Sequence, residues 1–283
     1  MAAMRNIVLV FLSFLVCVAQ TPPSATSPDP NMPRPIDAVD SVFMEELTWL
    51  EVRDAMRAGK KTAIIATGGV EMNGPYLATG KHNYVLRATT EAIARKLGNA
   101  LVATIVPYVP EGTIDPPSSH MRYPGTISLR EETFRALLID IASSMRAHGF
   151  EHVIFLGDSG GNEVGMKAVA EELKKKWAGG KTTIHHIPEH YNYPAVTKWL
   201  ETKGIQQTPE GHHDDYAITS ILMTVDPDTV RMKQRMAKGK FSINGVSLTP
   251  QAKTIEMGKK VVEYRANVAV EAIRKAIGAA QSR

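Results

Sequence analysis

Cysteine is almost absent from this 283-residue chain, whose only cysteine is Cys17. A single cysteine excludes an internal disulfide framework. The chain also lacks a block of lysine and arginine, although its formal net charge is +4. The run Lys174–Lys176 sits at the end of a predicted helix, where positive charge complements the helix dipole. We therefore expect no nucleic-acid partner. No apolar run is long enough for a comfortable membrane span.

The N-terminus has the pattern of a secretory leader. Arg5 supplies a positive charge, residues 7–19 form an apolar segment, and Ala19 ends a small-x-small sequence. We predict a signal peptide over residues 1–19 and a secreted or periplasmic mature protein with no stable membrane span. The rival interpretation is a lipoprotein modified at Cys17. Cleavage after Ala19 would remove the only cysteine, which fits an oxidising compartment.

The rest of the chain divides at a change of composition. Residues 20–37 contain six prolines among serine, threonine and aspartate, and this composition predicts an extended linker. Residues 38–283 are long enough for one large domain with a substantial core. The whole chain is 43% hydrophobic and 22% charged, as is ordinary for a soluble globular protein.

Strand and helix patterns alternate through this domain. Such alternation predicts an α/β fold with a mostly parallel sheet between helices. The predicted helices are Ser41–Ala58, His82–Leu97, Glu131–His148, Gly161–Trp177 and Thr249–Ala280. The predicted strands are Thr62–Thr67, Ala100–Val106, His152–Leu156 and Lys181–Ile187, and residues 237–248 read as an irregular loop or short hairpin.

Three polar loops follow or precede these elements. EMNGPYLATGKH, from Glu71 to His82, follows the first strand, and GDSGGN, from Gly157 to Asn162, follows the third. A third cluster, GHHDDY, opens a later helix at residues 211–216. Ligands in open α/β sheets bind beyond the carboxyl ends of the strands. Glutamate, histidine and aspartate on three such loops therefore predict one metal-assisted active site.

With these loops placed, the chain resembles the creatininase family. The first loop, EMNGPYLATGKH, is similar to that family's EQHGPHLPLGTD, and GDSGGN aligns with its NGHGGN turn. The segment HMRYPGTISL, beginning at His120, is similar to the family's HxxFPGTISL. HDDYAITS, beginning at His213, is the counterpart of its HAGxxxTS element. The resemblance covers roughly residues 40–275, in order.

The resemblance implies a three-layer α/β/α sandwich, a homo-oligomer that is commonly a hexamer, and a two-metal amidohydrolase site. Of the family's ligand positions, only Glu71 is unchanged in this chain. The first-loop histidine is Asn73, the bridging aspartate is His82, and the histidine of the turn is Ser159. The fold therefore carries over, whereas the ligand set does not.

Two interpretations of the altered ligand set remain open. In the first, Glu71, His82 and Asp158 together hold one Zn²⁺ or Mn²⁺ ion, rather than two, with open positions for water. In the second, the metals are lost and the chain is a non-catalytic ligand-binding or assembly protein that retains the fold. Asp158 could also simply cap the helix that starts near Gly161.

If a metal is bound, we expect hydrolysis of a C–N bond in a small amide, cyclic amides included, by metal-activated water. His213 or Glu71 is the candidate base, and the loop residue His120 is a third catalytic candidate. A serine hydrolase using Ser159 with Asp158 lacks a nucleophile elbow and is the weaker alternative. The candidate substrate-binding residues are Asn73, Ser159, Gly160, Gly161 and Asp215.

Overall fold

The computed structural model describes residues 27–281. The predicted leader at residues 1–19 and the first part of the predicted linker lie outside the described residues. The chain divides into two units between Asp37 and Ala38. In the first unit, a turn is closed by the amide of Met32, which donates to the carbonyl of Asp29 at 3.1 Å. The elements below all belong to the second unit.

Eight α-helices and six strands make up the second unit in its described part. The helices are α1 Trp49–Arg57, α2 Lys81–Leu97, α3 Glu131–Ala147, α4 Glu163–Lys176, α5 Tyr193–Glu201, α6 Tyr216–Val225, α7 Met232–Ala237 and α8 Gln251–Gln281. The strands are β1 Thr62–Thr67, β2 Ala100–Val106, β3 His152–Gly157, β4 Thr183–His186, β5 Ser242–Ile243 and β6 Val246–Ser247.

Four of the strands form one parallel sheet in the order β2-β1-β3-β4. Thr67 at the end of β1 pairs with Gly157 at the end of β3. The two loops that follow these strands therefore emerge side by side, and the amide of Asp158 donates to the carbonyl of Thr67 at 3.1 Å. This register brings the first two polar loops to one edge of the sheet.

Helices cover both faces of the sheet. Successive residues of a strand point to opposite faces, so each strand contributes apolar side chains to both helix layers. On one face, Ile64 and Ile154 pack with α2 and α8; on the other, Ile65 packs with α3 and α4. β1 and β3 are buried along their whole length, as is typical of parallel strands between helix layers. The predicted α/β class with a mostly parallel central sheet between helices is confirmed.

The prediction of one helix over Ser41–Ala58 is wrong in its first half. A short 3-10 turn occupies Met44–Glu46, and α1 begins only at Trp49. Thr48 and Glu51 form a capping box in which each side chain accepts a hydrogen bond from the other residue's backbone amide. This T-x-x-E signature fixes the helix start, and the periodicity of the apolar residues did not reveal it.

Two helices were missed between the last strand of the sheet and the predicted hairpin. α5 starts at a cap in which Asn192 accepts from the amide of Ala195, and α7 has only six residues. The region 237–248 contains the two-residue strands β5 and β6, which pair as a hairpin. No helix in the part of the chain that the structure describes has the length and apolar character to cross a membrane.

The crossing of α6 and α8 provides a test of the packing. A Cβ atom added at Gly258 would collide with the carbonyl group of Ser220, whereas one added at Gly278 in the same helix would meet no heavy atom within 4 Å. We expect Gly258→Ala to lower the free energy of unfolding by about 2 kcal/mol, since backbone must move. Gly278→Ala should raise it by up to about 1 kcal/mol. Urea denaturation measures both, and equal midpoints would contradict the close approach.

Candidate metal and active site

Four segments meet beyond the carboxyl ends of β1 and β3. They are the loop before α2, the turn before α4, the loop before α6, and a 3-10 turn at Ser119–Arg122 that carries His120. They enclose a cavity of about 510 Å³. The charged and histidine side chains that line it are Glu71, Lys81, His82, Glu111, His120, His212, His213, Asp214 and Asp215. The sequence predicted this edge of the sheet as the site.

Glu71 is the centre of the cluster and is 1% exposed. Its Oε1 lies 3.2 Å from Lys81 Nζ, 2.8 Å from His82 Nε2 and 2.9 Å from His213 Nε2. Its Oε2 lies 3.5 Å from His120 Nε2. Burial alone would raise the pKa of Glu71, but the hydrogen bonds from His213 and His82 hold it well below its usual range. The carboxylate is therefore ionised at neutral pH.

His82 lies between two carboxylates and is 4% exposed. Its Nδ1 is 2.7 Å from Asp158 Oδ2, and its Nε2 is 2.8 Å from Glu71 Oε1. Burial would lower the pKa of His82, but the hydrogen bonds to Asp158 and Glu71 raise it above its ordinary value. The structure thus brings the three predicted ligands together, but both ring nitrogens of His82 are hydrogen-bonded to carboxylate oxygens.

Asp158 is completely buried and is held from three directions. Arg265 Nη2 donates to its Oδ1 at 2.5 Å, and Tyr193 Oη lies 3.0 Å from both carboxylate oxygens. Burial would raise the pKa of Asp158, but the charge of Arg265 and the hydrogen bond from His82 lower it below its usual range. Its side chain does not cap the 3-10 turn or α4. Asp158 therefore anchors His82 to the closing helix.

A different set of three side chains has the arrangement of a metal site. One ligand atom each from Glu71, His120 and His213 lies within 4.8 Å of the others. The rings of His120 and His213 are 4.7 Å apart between centroids. Burial lowers the pKa of His120, which keeps its ring neutral at pH 7 and able to ligate. Two imidazoles and one carboxylate are a ligand set of catalytic zinc sites.

Glu111 is a second buried carboxyl group beside Glu71. It is 4% exposed, lies against Gly69 where a Cβ would collide with it, and its Oε1 has no hydrogen-bond partner. Burial and then the charge of Glu71 raise the pKa of Glu111 to about 9. Glu111 thus carries a proton at neutral pH in the metal-free protein, as groups that transfer protons in active sites can.

The remaining predicted residues occupy different places. Ser159, Gly160 and Gly161 line the cavity, and so does Asp215, which also caps α6 by accepting from the amide of Ile218 at 2.7 Å. Asn73 is not among the lining residues. Its Nδ2 donates to the carbonyl oxygens of Glu71 and Ala78 at 3.2 and 2.8 Å, so it braces the first loop.

Sequence reasoning missed Lys81, Glu111, Tyr193 and Arg265. A signal existed for Arg265, since it interrupts an apolar stripe formed by Val261 and Ala269, four residues away on either side in α8. A charged residue on the buried face of a helix indicates a buried partner. Lys81 directly precedes His82, but its burial has no signature in the sequence.

A family model for creatininase, described as creatinine amidohydrolase, matches residues 45–273. This chain belongs to the creatininase family. A creatinine amidohydrolase from Pseudomonas putida is 24% identical to it over 199 residues, which are 67% of this chain and 74% of that protein. The predicted class, a metal-dependent amidohydrolase, is confirmed at the level of the family.

Two solved creatininase structures share the fold. A manganese creatininase has a TM-score of 0.57 at 22% identity, and the match covers 84% of this chain and 97% of that one. A Zn–Zn form of a creatininase mutant has a TM-score of 0.55 at 22% identity and covers 84% of this chain and 98% of that one. At 22% identity, this structural similarity establishes the shared fold alone.

The anchoring of Asp158 by Arg265 predicts strong coupling between the two residues. We expect Arg265→Met and Asp158→Asn each to lower the free energy of unfolding by about 3–5 kcal/mol, because each leaves a buried charge without its partner. The double variant should lose less than the sum, by about 1–3 kcal/mol. Urea denaturation with a chelator present measures this without any contribution from metal. Additive losses would contradict the pairing.

His190 predicts a pH dependence of stability. It is 2% exposed, its Nδ1 donates to the carbonyl of Gly157 at 2.8 Å, and burial and the Arg265 charge lower its pKa to about 4. The unfolded chain takes up this proton near pH 6.5 and the folded chain only near pH 4, so stability falls as the pH drops through that window. The loss amounts to about 3 kcal/mol.

The measurement compares urea denaturation of wild type and His190→Gln from pH 7 to pH 4.5. The variant should lose less stability over this range, because the group that favours the unfolded chain has been removed. His148→Gln, at an exposed position beyond α3, is the matched control. Identical profiles for all three proteins would show that burial of His190 does not shift its titration.

Proposed function

We propose that the protein hydrolyses a C–N bond of a small amide and that Glu71, His120 and His213 hold one Zn²⁺ or Mn²⁺ ion. The observation that carries the proposal is the meeting of these three side chains at the cavity, within 4.8 Å of one another. The zinc and manganese forms of the related creatininases support this choice of ions.

The donor set fits the ion. Glu71 is ionised, and the side chains of His120 and His213 keep 24% and 48% of their surfaces exposed on the cavity side. One carboxylate and two imidazoles leave open positions for water and substrate, as catalytic zinc requires. The predicted set of Glu71, His82 and Asp158 is the competing proposal. Both ring nitrogens of His82 are hydrogen-bonded to carboxylates, so it would have to give up one of these bonds, whereas His213 has one ring nitrogen, Nε2, in such a bond.

When bound, the ion supplies polarisation of the substrate carbonyl and a lowered pKa for water. The protein supplies the proton transfer, and Glu111 is placed for it beside Glu71 in the cavity wall. Bound to Glu71, the ion would offset the negative charge that helps to raise the pKa of Glu111, and an ionised Glu111 could then take a proton from water and return it to the leaving nitrogen. His213 or Glu71, the bases inferred from the sequence, are the alternatives.

The substrate is a small amide, because the cavity measures about 510 Å³ and a related protein is a creatinine amidohydrolase. Ser159, Gly160 and Gly161 lie just before α4, so a substrate can approach the backbone at the positive end of a helix. Creatinine is one member of this class. Export through the predicted leader and assembly into a homo-oligomer belong to the same proposal, and N-terminal sequencing and light scattering test them.

The ligand set has a direct test. We expect Glu71→Gln, His120→Ala and His213→Ala each to weaken zinc binding by more than the roughly 10–100-fold that loss of a supporting partner costs. Elemental analysis after gel filtration measures the bound ion, and hydrolysis of a panel of cyclic amides, lactams and formamides measures activity. His212→Ala, beside His213 on the same cavity wall, should retain both.

Two other outcomes distinguish the alternatives. Full metal binding without hydrolysis of any amide in the panel would favour a ligand-binding protein that retains the fold. Hydrolysis that survives a chelator but is lost in Ser159→Ala would favour the serine mechanism. In the described part of the chain no imidazole is hydrogen-bonded to the Ser159 side chain, so we expect Ser159→Ala to keep its activity.

A further inference from the structure

Lys81 is a buried cation in an unfavourable place for one. It is the first residue of α2, where the helix dipole disfavours positive charge, and it is 1% exposed. Its Nζ lies 3.2 Å from Glu71 Oε1 and 3.1 Å from the carbonyl oxygen of His213. Burial of an ammonium group requires compensation by charge and hydrogen bonds. Glu71 and the His213 loop provide it. Lys81 is therefore part of the site, although it is also the first residue of α2.

Lys81 and His82, which are 1% and 4% exposed, contact Glu71 on its buried, inner side. His82 Nε2 shares Glu71 Oε1 with the ammonium group, and the other ring nitrogen is bonded to Asp158. The remaining oxygen of Asp158 is held by Arg265. Glu71 Oε1 and both oxygens of Asp158 therefore already have nitrogen partners from the protein.

The outer side of Glu71 is the side open to an ion. His120 and His213 face Glu71 from the cavity, and both side chains are partly exposed. Two dications a few ångströms apart repel each other strongly and need a shared anionic ligand between them. On the buried side, the groups in contact with Glu71 are Lys81 and His82, and neither supplies an anionic atom for that purpose.

We propose that the ammonium group of Lys81 is a fixed cation that takes the place of a second metal ion beside Glu71. The inference rests on the proposed metal site. It limits that site to one ion, because Lys81 occupies the place that a second ion would need. Lys81 is a positioning residue, since its Nζ also ties the loop of His213 to Glu71.

The first test counts ions. We expect the wild type to hold about one zinc ion per chain and His82→Asp about one, because Lys81 still blocks the inner side. The double variant Lys81→Met with His82→Asp removes the cation and adds a carboxylate, and it should hold about two. Lys60→Met, at the surface near Gly98, is the matched control and should hold the wild-type amount.

The second test needs no activity and no second ion. In the metal-free protein, Lys81→Met leaves Glu71 without its ammonium partner, so its thermal midpoint should be lower than that of wild type. Zinc should then raise the midpoint more in Lys81→Met than in wild type, because the ion restores the missing positive charge. A purely structural role for Lys81 would not give this selective rescue by a cation.

Three outcomes would overturn the inference. They are two ions in the wild type, one ion in a folded double variant, and equal zinc-induced shifts of the thermal midpoint in wild type and Lys81→Met. Circular dichroism establishes that each variant is folded. If the wild type binds no ion at all, the proposed metal site fails and this inference fails with it. Two ions in the wild type would remove the inference alone.

Discussion

The site depends on a chain of buried opposite charges that runs Lys81, Glu71, His82, Asp158, Arg265. Each carboxylate is held between nitrogen donors, and all five side chains are nearly excluded from solvent. A buried charge without its partner strongly lowers the free energy of unfolding, so each of these five side chains depends on its neighbours in the series. The same series of charged side chains joins the first loop, the turn after β3 and α8. It thereby fixes the cavity wall in one arrangement.

This arrangement explains how the chain keeps the family fold with altered ligand positions. His82 stands where the resemblance implies an aspartate, and it joins Glu71 to Asp158 through its two ring nitrogens. The buried side of the site is thereby closed by protein cations. The side that faces the cavity keeps a carboxylate and two histidines, contributed by Glu71, His120 and His213. We propose a single ion on that side, held by these three side chains.

Much of the fold followed from local signals. Alternating strand and helix patterns predicted the layers and their order, because apolar periodicity acts within a few residues. The errors were local too. Apolar periodicity did not reveal the capping box at Thr48, and the helices α5 and α7 are too short to show a clear period.

The sequence by itself determined the edge of the sheet at which the site lies and most of the residues that meet there. Only the tertiary structure decided their partners. His213 reaches Glu71 across 142 positions of the chain, and Arg265 reaches Asp158 across 107. No local pattern encodes such contacts, because they arise from the way α6 and α8 pack beside the sheet. That packing also decided that His82 is buried between two carboxylates while His120 stays partly exposed, and it decided the burial of Lys81.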